Sequence, residues 1–387
     1  MGGDRMKSAP STSLFHQPLE ERDYLYALTC IEGVGRRTIH HLYNKYGSLS
    51  SLTHLLPNEE SWYETLRLPP SVRQQVLFEI NPDRVTARKN ARLQAGLEFI
   101  CFLDEIFPSI LIEIPDPPVL LFYRGDITLL QRPMLGIVGT RTPSTYGRHV
   151  CQTFAKDLSN AGFMIVSGLA QGIDAEAHRT ALEQGAGTIG VLGCGIDQIY
   201  PTHNRPLYLR MAESGLILSE YHPGTKPHPG FFPERNRLIS GLSLGVLIVE
   251  AAERSGSLIT ADCANEQGRD VFAIPGPIFA KGSTGTNNLI KQGAKLVTDS
   301  KEILEEYAHL SSLFSPLSGQ KIISPDLPEE ERYLLGVLTT EPLHWDEIFT
   351  RISIEYRPCL DRDLVRLETK NLIQSLPGGY YVKHRDE

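Results

Sequence analysis

Leu135 to Asp174, LGIVGTRTPSTYGRHVCQTFAKDLSNAGFMIVSGLAQGID, decides the fold. Leu135-Gly136-Ile137-Val138 is a short apolar run that stops at Gly139-Thr140-Arg141. Val150, Phe154 and Leu158 then recur four apart, one face of a helix over 146–161, and Gly162 is placed to end it. Phe163 to Val166 is a second apolar run, stopping at Ser167-Gly168, and another helix begins near Asp174. Two strands joined through a helix imply a right-handed βαβ unit in a parallel sheet. Both polar turns follow a strand, so both fall at the carboxyl edge, where open α/β sheets bind ligands.

Outward from this unit the alternation continues. Strands are expected at 135–138, 163–167, 188–192, 216–219, 245–249 and 271–274, with helices between most of them. That pattern reads as a doubly wound parallel sheet. The GxGxxG fingerprint of dinucleotide sites is missing after the first strand, so NAD is not expected. Upstream, 85–94 reads as a helix, and 97–103 and 119–123 as strands that extend the same sheet. The main domain is set at 84–310.

Residues 20–83 read as a small helical domain. Ile31-Glu32-Gly33-Val34-Gly35 joins two of its helices in the manner of a helix-hairpin-helix. Such a turn either offers backbone N–H groups to a phosphate or merely packs, and the spacing allows both. Residues 1–19 lack the apolar core of a signal peptide and read as a frayed tail. Ser311 to Pro325 reads as a linker. Over 326–387, helical patterns at 330–338, 344–352 and 360–372 precede a hairpin centred on Pro377-Gly378-Gly379, the order of a winged helix. Its third helix mixes Asp361, Arg362, Asp363, Arg366, Glu368 and Lys370, so contact with protein is as well supported as groove reading.

Length and composition set bounds. A chain of 387 residues with 41% hydrophobic content holds two or three globular domains. The net charge of −8 excludes a uniformly basic nucleic-acid protein, but it is unevenly spread. Residues 132–301 carry 16 Lys+Arg against 14 Asp+Glu, a balance of +2, whereas 325–387 carry 8 against 13, a balance of −5. Phosphate binding follows the local field, so a basic groove in the middle is compatible with an acidic total. Six single cysteines without a CxxC pair exclude a zinc or disulfide framework and suit a reducing cytosol. No run reaches the roughly 18 apolar residues of a membrane span, so a cytoplasmic protein without membrane, metal or cofactor is expected.

The polar clusters carry the functional reading. Phe232-Pro233-Glu234-Arg235-Asn236-Arg237 is the densest, two arginines around an asparagine beside phenylalanines. It suits backbone phosphates, or else an Arg pair bracing carboxylates such as Glu220 and Glu250. Ser255-Gly256-Ser257 precedes a helix from Leu258 and suits an anion or an ordinary N-cap. Asp174 and His178, one helical turn apart, read as core bracing rather than catalysis, since no nucleophile has a recognisable context. Lys281 and Lys291 are candidates for a groove rim.

These strings resemble the bacterial DNA-processing protein A (DprA, or Smf) family. The resemblance rests on Val138-Gly139-Thr140-Arg141, Ser167 through Asp174 with His178, Tyr200-Pro201 with Asn204, and Ser219-Glu220-Tyr221. It continues through Phe232 to Gly241, Ser255 to Thr260, Gly268-Arg269-Asp270 and Pro275-Gly276, in order over about 160 residues. It implies an extended Rossmann-like domain, flanked by the helical front and the winged helix, that binds single-stranded DNA without catalysis. It also implies a homodimer, and delivery of RecA recombinase onto incoming strands in natural transformation and recombination. The implied DNA contacts are Gly139, Arg141, Ser167, Gly168, Gly172, Asn204, Arg205, Arg235, Asn236, Arg237, Ser255, Gly256 and Ser257, with Lys281 and Lys291 at the rim. Phe231, Phe232 or Tyr200 would stack a base. Family members often carry lysine where this chain has Thr202, and Arg205 is the expected substitute. Rival readings are a nucleotide hydrolase of the lysine-decarboxylase-like class, whose PGGxGTxxE string is missing here, and a winged-helix transcription regulator.

Overall fold

The computed structural model describes residues 18–55, 68–313, 328–339, 343–353, 355–370, 372–376 and 378–383. The expected tail, the breaks about Pro57 and nearly all of the expected linker lie outside these residues. The chain divides into two compact units, which part between Leu317 and Ser318.

The first unit is built on a nine-stranded sheet. Its strands are β1 (Phe99–Cys101), β2 (Leu120–Gly125), β3 (Met134–Val138), β4 (Met164–Ser167), β5 (Thr188–Leu192), β6 (Leu216–Ser219), β7 (Gly245–Ile248), β8 (Asp270–Ala273) and β9 (Lys295–Leu296). They lie in the order β1-β2-β6-β5-β4-β3-β7-β8-β9. From β6 to β9 every pairing is parallel, with Leu135 opposite Ile165 on one side and Gly245 on the other. β1 and β2 add an antiparallel edge beside β6, so they extend the sheet as their sequence suggests. Every residue of β3 through β7 is buried, which is why these strands read as unbroken apolar runs rather than as alternations.

Helices cover both faces. In chain order they are α1 (Glu21–Thr29), α2 (Arg36–Tyr46), α3 (Leu52–Leu55), α4 (Pro70–Glu79), α5 (Pro82–Gln94), α6 (Ser109–Ile112), α7 (Thr145–Asn160), α8 (Ile173–Glu183), α9 (Arg205–Ser214), α10 (Phe231–Leu242), α11 (Gly256–Glu266), α12 (Thr284–Lys291) and α13 (Lys301–Glu306). Leu135 and Ile137 of β3 point to one face, with Phe154 and Leu158 of α7 and Ala177 of α8. Met134 and Val138 point to the other, with Leu238 and Leu242 of α10 and Ala261 of α11. This alternation is the period-2 geometry of a strand, buried on both sides.

Residues 20–83, read from the sequence as a domain of their own, share a core with the sheet. Tyr24, Leu28, Ile39 and Leu42 belong to one apolar cluster with Phe99, Phe122 and Ile217. In the turn before α2, Ile31 and Val34 are buried while Glu32, Gly33 and Gly35 are exposed. Gly33 has φ +88°, a left-handed conformation that favours glycine, and a Cβ there would lie 3.0 Å from Val72 Cγ2. Arg36, first residue of α2, donates to Glu234 Oε1 at 2.7 Å and to Asp116. The arginine at this turn is therefore occupied by carboxylates of its own unit.

The second unit has its own core of Leu334, Ile348, Leu364, Leu367 and Ile373. It comprises α14 (Glu329–Val337), β10 (Leu343–His344), α15 (Trp345–Arg351), α16 (Leu360–Thr369), β11 (Ile373–Leu376) and β12 (Tyr380–Lys383), with its strands in the order β10-β12-β11. Gly378 and Gly379 turn the hairpin with φ +88° and +79°, while Pro377 lies outside the described residues. Arg362 pairs with Asp363 at 2.8 Å, and Arg366 and Lys370 both reach buried Glu331. The two arginines of α16 and the lysine that follows it are thus engaged by carboxylates within the unit.

Candidate functional site

The strand order places the chemistry. β3 is central, β4 to β6 run off one side and β7 to β9 off the other, and the loop after β3 lies at that reversal. Thr140 N donates to Glu250 O at 2.7 Å, and Thr140 O accepts from Ile173 N at 3.2 Å. Gly139 has no room for a side chain, since its Cβ would lie 2.7 Å from Ile173 Cγ1. Gly172, with φ +87°, sits directly on Thr140 O and 2.6 Å from the Arg141 carbonyl carbon at its Cβ position. The loop is clamped backbone against backbone, and Arg141 is exposed, as are Thr142 and Ser144 after it.

Two cavities adjoin Arg141. The smaller, about 90 Å³, is lined by Gly168, Leu192, Gly193, Tyr200, Phe232 and Arg235 as well as Arg141. The Arg141 guanidinium stands 5.9 Å from the Phe232 ring centroid, and Phe232 packs on Tyr200 at 5.4 Å. Tyr200, 44% exposed, thus offers ring surface beside a cation. The larger cavity, about 170 Å³, is lined by Arg141, Arg148, Gln171, Glu176, Arg179 and His203, with Gly172 and Asn204 in its wall.

Beneath the cavities the turn after β4 is held from three sides. Gly168 N donates to Asp174 Oδ2 at 3.1 Å. Leu169 adopts φ +54°, a left-handed conformation that costs a non-glycine residue roughly 1–2 kcal/mol. Asn204, 3% exposed, holds it there by donating from Nδ2 to Leu169 O at 3.0 Å and Ala170 O at 3.2 Å. Arg235, 5% exposed, donates from Nη1 to Val191 O at 2.6 Å, and its guanidinium occupies the space a Gly168 side chain would fill. Burial pushes the Arg235 pKa down against the opposing pull of Asp174. Burial likewise pushes the Asp174 carboxyl up, against Arg235 and the N–H groups of Ala170 and Gly168.

The expected contact residues divide accordingly. Arg141, Gly168, Gly172, Asn204 and Arg235 are brought together around the two cavities. Ser167 is fully buried and donates to Ile137 O at 2.6 Å, so its side chain braces the sheet and lines neither cavity. Gly139 is a packing glycine. Arg237 is turned away: it pairs with Glu220, donates to Asp116 O at 2.7 Å and has no share in either cavity. Here the carboxylate-bracing alternative is what the structure shows, for Glu220; Glu250 instead accepts from Ser144 N at 2.9 Å. Asn236 donates to Gly256 O at 3.2 Å, and Ser255 caps α11 through Ser257 N, so this group forms a helix–helix contact apart from the cavities. Arg205, Lys281 and Lys291 are exposed and line neither cavity. His203 lines the wall where Arg205 was expected. Phe231 packs on Tyr221 at 4.5 Å, leaving Phe232 and Tyr200 as the stacking surfaces.

Asp174 and His178 do not bond each other. His178 is fully buried with Nδ1 2.8 Å from Thr188 Oγ1, and Thr188 gives its one hydroxyl proton to Ile165 O. The His178 proton therefore sits on Nδ1, and Nε2 has no partner. Burial pushes this imidazole down to about 3. Sequence reasoning missed Arg148, Arg179, Gln171 and His203. The available signal was position: Arg148 and Arg179 lie in the first two turns of the helices that follow β3 and β4. Among the described residues no group of three or more His, Cys, Asp or Glu is placed to hold a metal ion. No described helix is long and apolar enough to cross a membrane.

Residues 98–308 match the family model described as DNA recombination-mediator protein A. The chain is 46% identical over 214 residues to the DNA processing protein DprA of Bacillus subtilis, covering 55% of this chain and 72% of that one. It is 48% identical over 205 residues to DprA of Streptococcus pneumoniae, covering 53% and 72%. The X-ray structure of the Streptococcus pneumoniae protein superposes with a TM-score of 0.66 at 40% identity, over 73% of this chain and 97% of that one. DNA processing protein A of Helicobacter pylori, described for its single-stranded DNA binding mode, superposes with a TM-score of 0.51 at 34% identity, over 56% and 98%.

Proposed function

The chain belongs to the DNA recombination-mediator protein A family, and from that premise we propose that its carboxyl-edge cavities hold single-stranded DNA for delivery to RecA recombinase. The observation that carries this reading is Arg141, exposed at the sheet's reversal between two cavities, with Phe232 and Tyr200 beside it. A cation for phosphate next to ring surface for a base is the combination that unpaired strands require. Stacking contributes roughly 1–3 kcal/mol per base regardless of sequence. The likeness to a Helicobacter pylori protein described with single-stranded DNA supports it.

The protein acts by binding and protecting the strand, not by catalysis. The acid and histidine with catalytic spacing are buried, and His178 is bonded to Thr188. It works in the cytoplasm, in natural transformation and recombination, as a homodimer. Ile278 and Phe279, 80% and 94% exposed after β8, and the two-residue edge strand β9 are apolar and edge surface that a second copy would cover. Fluorescence anisotropy with matched single-stranded and duplex oligonucleotides tests the core claim. Single strands should bind more tightly, with a salt slope of about 0.7 per phosphate neutralised. Tighter duplex binding, or release of free base from nucleoside monophosphates, would overturn it.

A further inference from the structure

The larger cavity holds more positive charge than base stacking uses. Arg141, Arg148, Arg179 and His203 line it, and Glu176 is the one carboxylate among its lining residues. Arg148 is exposed in the first turn of α7, with no side-chain partner among the described residues. Arg179, on α8, reaches Glu176 at 3.3 Å with 45% of its side chain exposed. Glu176 is itself shared, accepting from Gln152 Nε2 at 2.6 Å. Three guanidinium groups thus face one divided carboxylate across a concavity of about 170 Å³. Like charges gathered this way repel until an anion joins them, and the planar guanidinium fork matches the paired oxygens of a phosphate. Arg141 and Gln171 line both cavities, so the charged one continues directly from the aromatic one.

Resting on the single-strand reading, we propose that this cavity is a separate phosphodiester subsite. Arg148 and Arg179 hold the phosphate next along the strand from the nucleotide stacked on Tyr200 and Phe232, and Arg141 bridges the two positions. Glu176 fixes Arg179 and opposes the anion, so it sets how tightly the subsite closes. The alternative is that Arg148 and Arg179 are solvated helix-face residues contributing only to the general field.

The full chain is titrated with a fluorescein-labelled oligothymidylate at several salt concentrations. The double variant Arg148→Gln/Arg179→Gln should bind on the order of tenfold more weakly, as loss of charge-assisted contacts implies. Its salt slope should be shallower by about 0.7, one phosphate fewer. Glu176→Gln should bind more tightly than the parent. Arg210→Gln, an exposed charge on α9 that lines neither cavity, should leave the slope unchanged. Melting temperatures equal to the parent's establish that each variant is folded. A double variant with the parental slope overturns the subsite, as does an Arg210→Gln loss of equal size. A parent chain that fails to bind the oligonucleotide overturns instead the reading on which the subsite rests.

Discussion

At the scale of single residues, Arg141 and Arg235 look alike in the sequence and differ in the fold. Arg141 is exposed with its guanidinium over the Phe232 ring, so Arg141→Ala should weaken single-strand binding on the order of tenfold and leave melting unchanged. Arg235 is buried against Val191 O and near Asp174. Arg235→Ala removes the donor to Val191 O and empties the space beside Gly168, and should destabilise the fold by about 1–3 kcal/mol, read in chemical denaturation. Arg141 was legible because it ends the loop after the first parallel strand. The directions of Arg235 and Arg237 were not, since two positions on one helix reveal their angular separation but not which neighbour each meets. His178 gives a pH test. Its folded pKa of about 3 lies below the ordinary 6.5, so between these values the unfolded chain binds more protons. Its contribution is therefore present above pH 6.5 and is lost, at about 1.4 kcal/mol per unit, as pH falls toward 3. In His178→Asn, stability should depend less steeply on pH between 6.5 and 4 than in the parent; equal slopes would show that the imidazole is not held neutral.

At the scale of elements, the start of α8 is built against the loop after β3. A methyl group at Gly172 would meet Thr140 O and the Arg141 backbone, in a left-handed conformation that already disfavours side chains. Gly172→Ala should therefore lower both the melting temperature and single-strand affinity, whereas Gly256→Ala, with nothing within 4 Å of its Cβ, should change neither by much. An unchanged affinity in Gly172→Ala would mean that Arg141 does not depend on this clamp. Strands β3 to β8 were legible to within a residue or two, because buried strands read as compact apolar runs ended by a polar turn, whereas the two-residue β9, Lys295-Leu296, is too short and too exposed to make such a run. The helix faces were harder: Arg148 and Arg179 follow the pattern of solvated helix arginines, and only the neighbouring helix shows that they converge.

At the scale of the molecule, the cavities lie wholly in the first unit, while the second has a core of its own. Removing residues 318–387 should leave oligonucleotide affinity within about twofold, well under the 1.4 kcal/mol of a tenfold change. Loss of binding on truncation would return the second unit to the centre of the function. What the sequence hid at this scale is the union of helical front and sheet, because apolar residues of a short helix do not reveal which core they join. One turn of α10 makes that union visible. Arg235 points beneath the cavities, Asn236 to the start of α11, and Arg237, with Arg36 of the front, to the Asp116 carboxylate. Consecutive residues of a helix are rotated by about 100°, so inserting or deleting a single residue upstream would misdirect all three together. This turn can absorb exchanges of side chain one position at a time, yet its length is fixed by three neighbours at once.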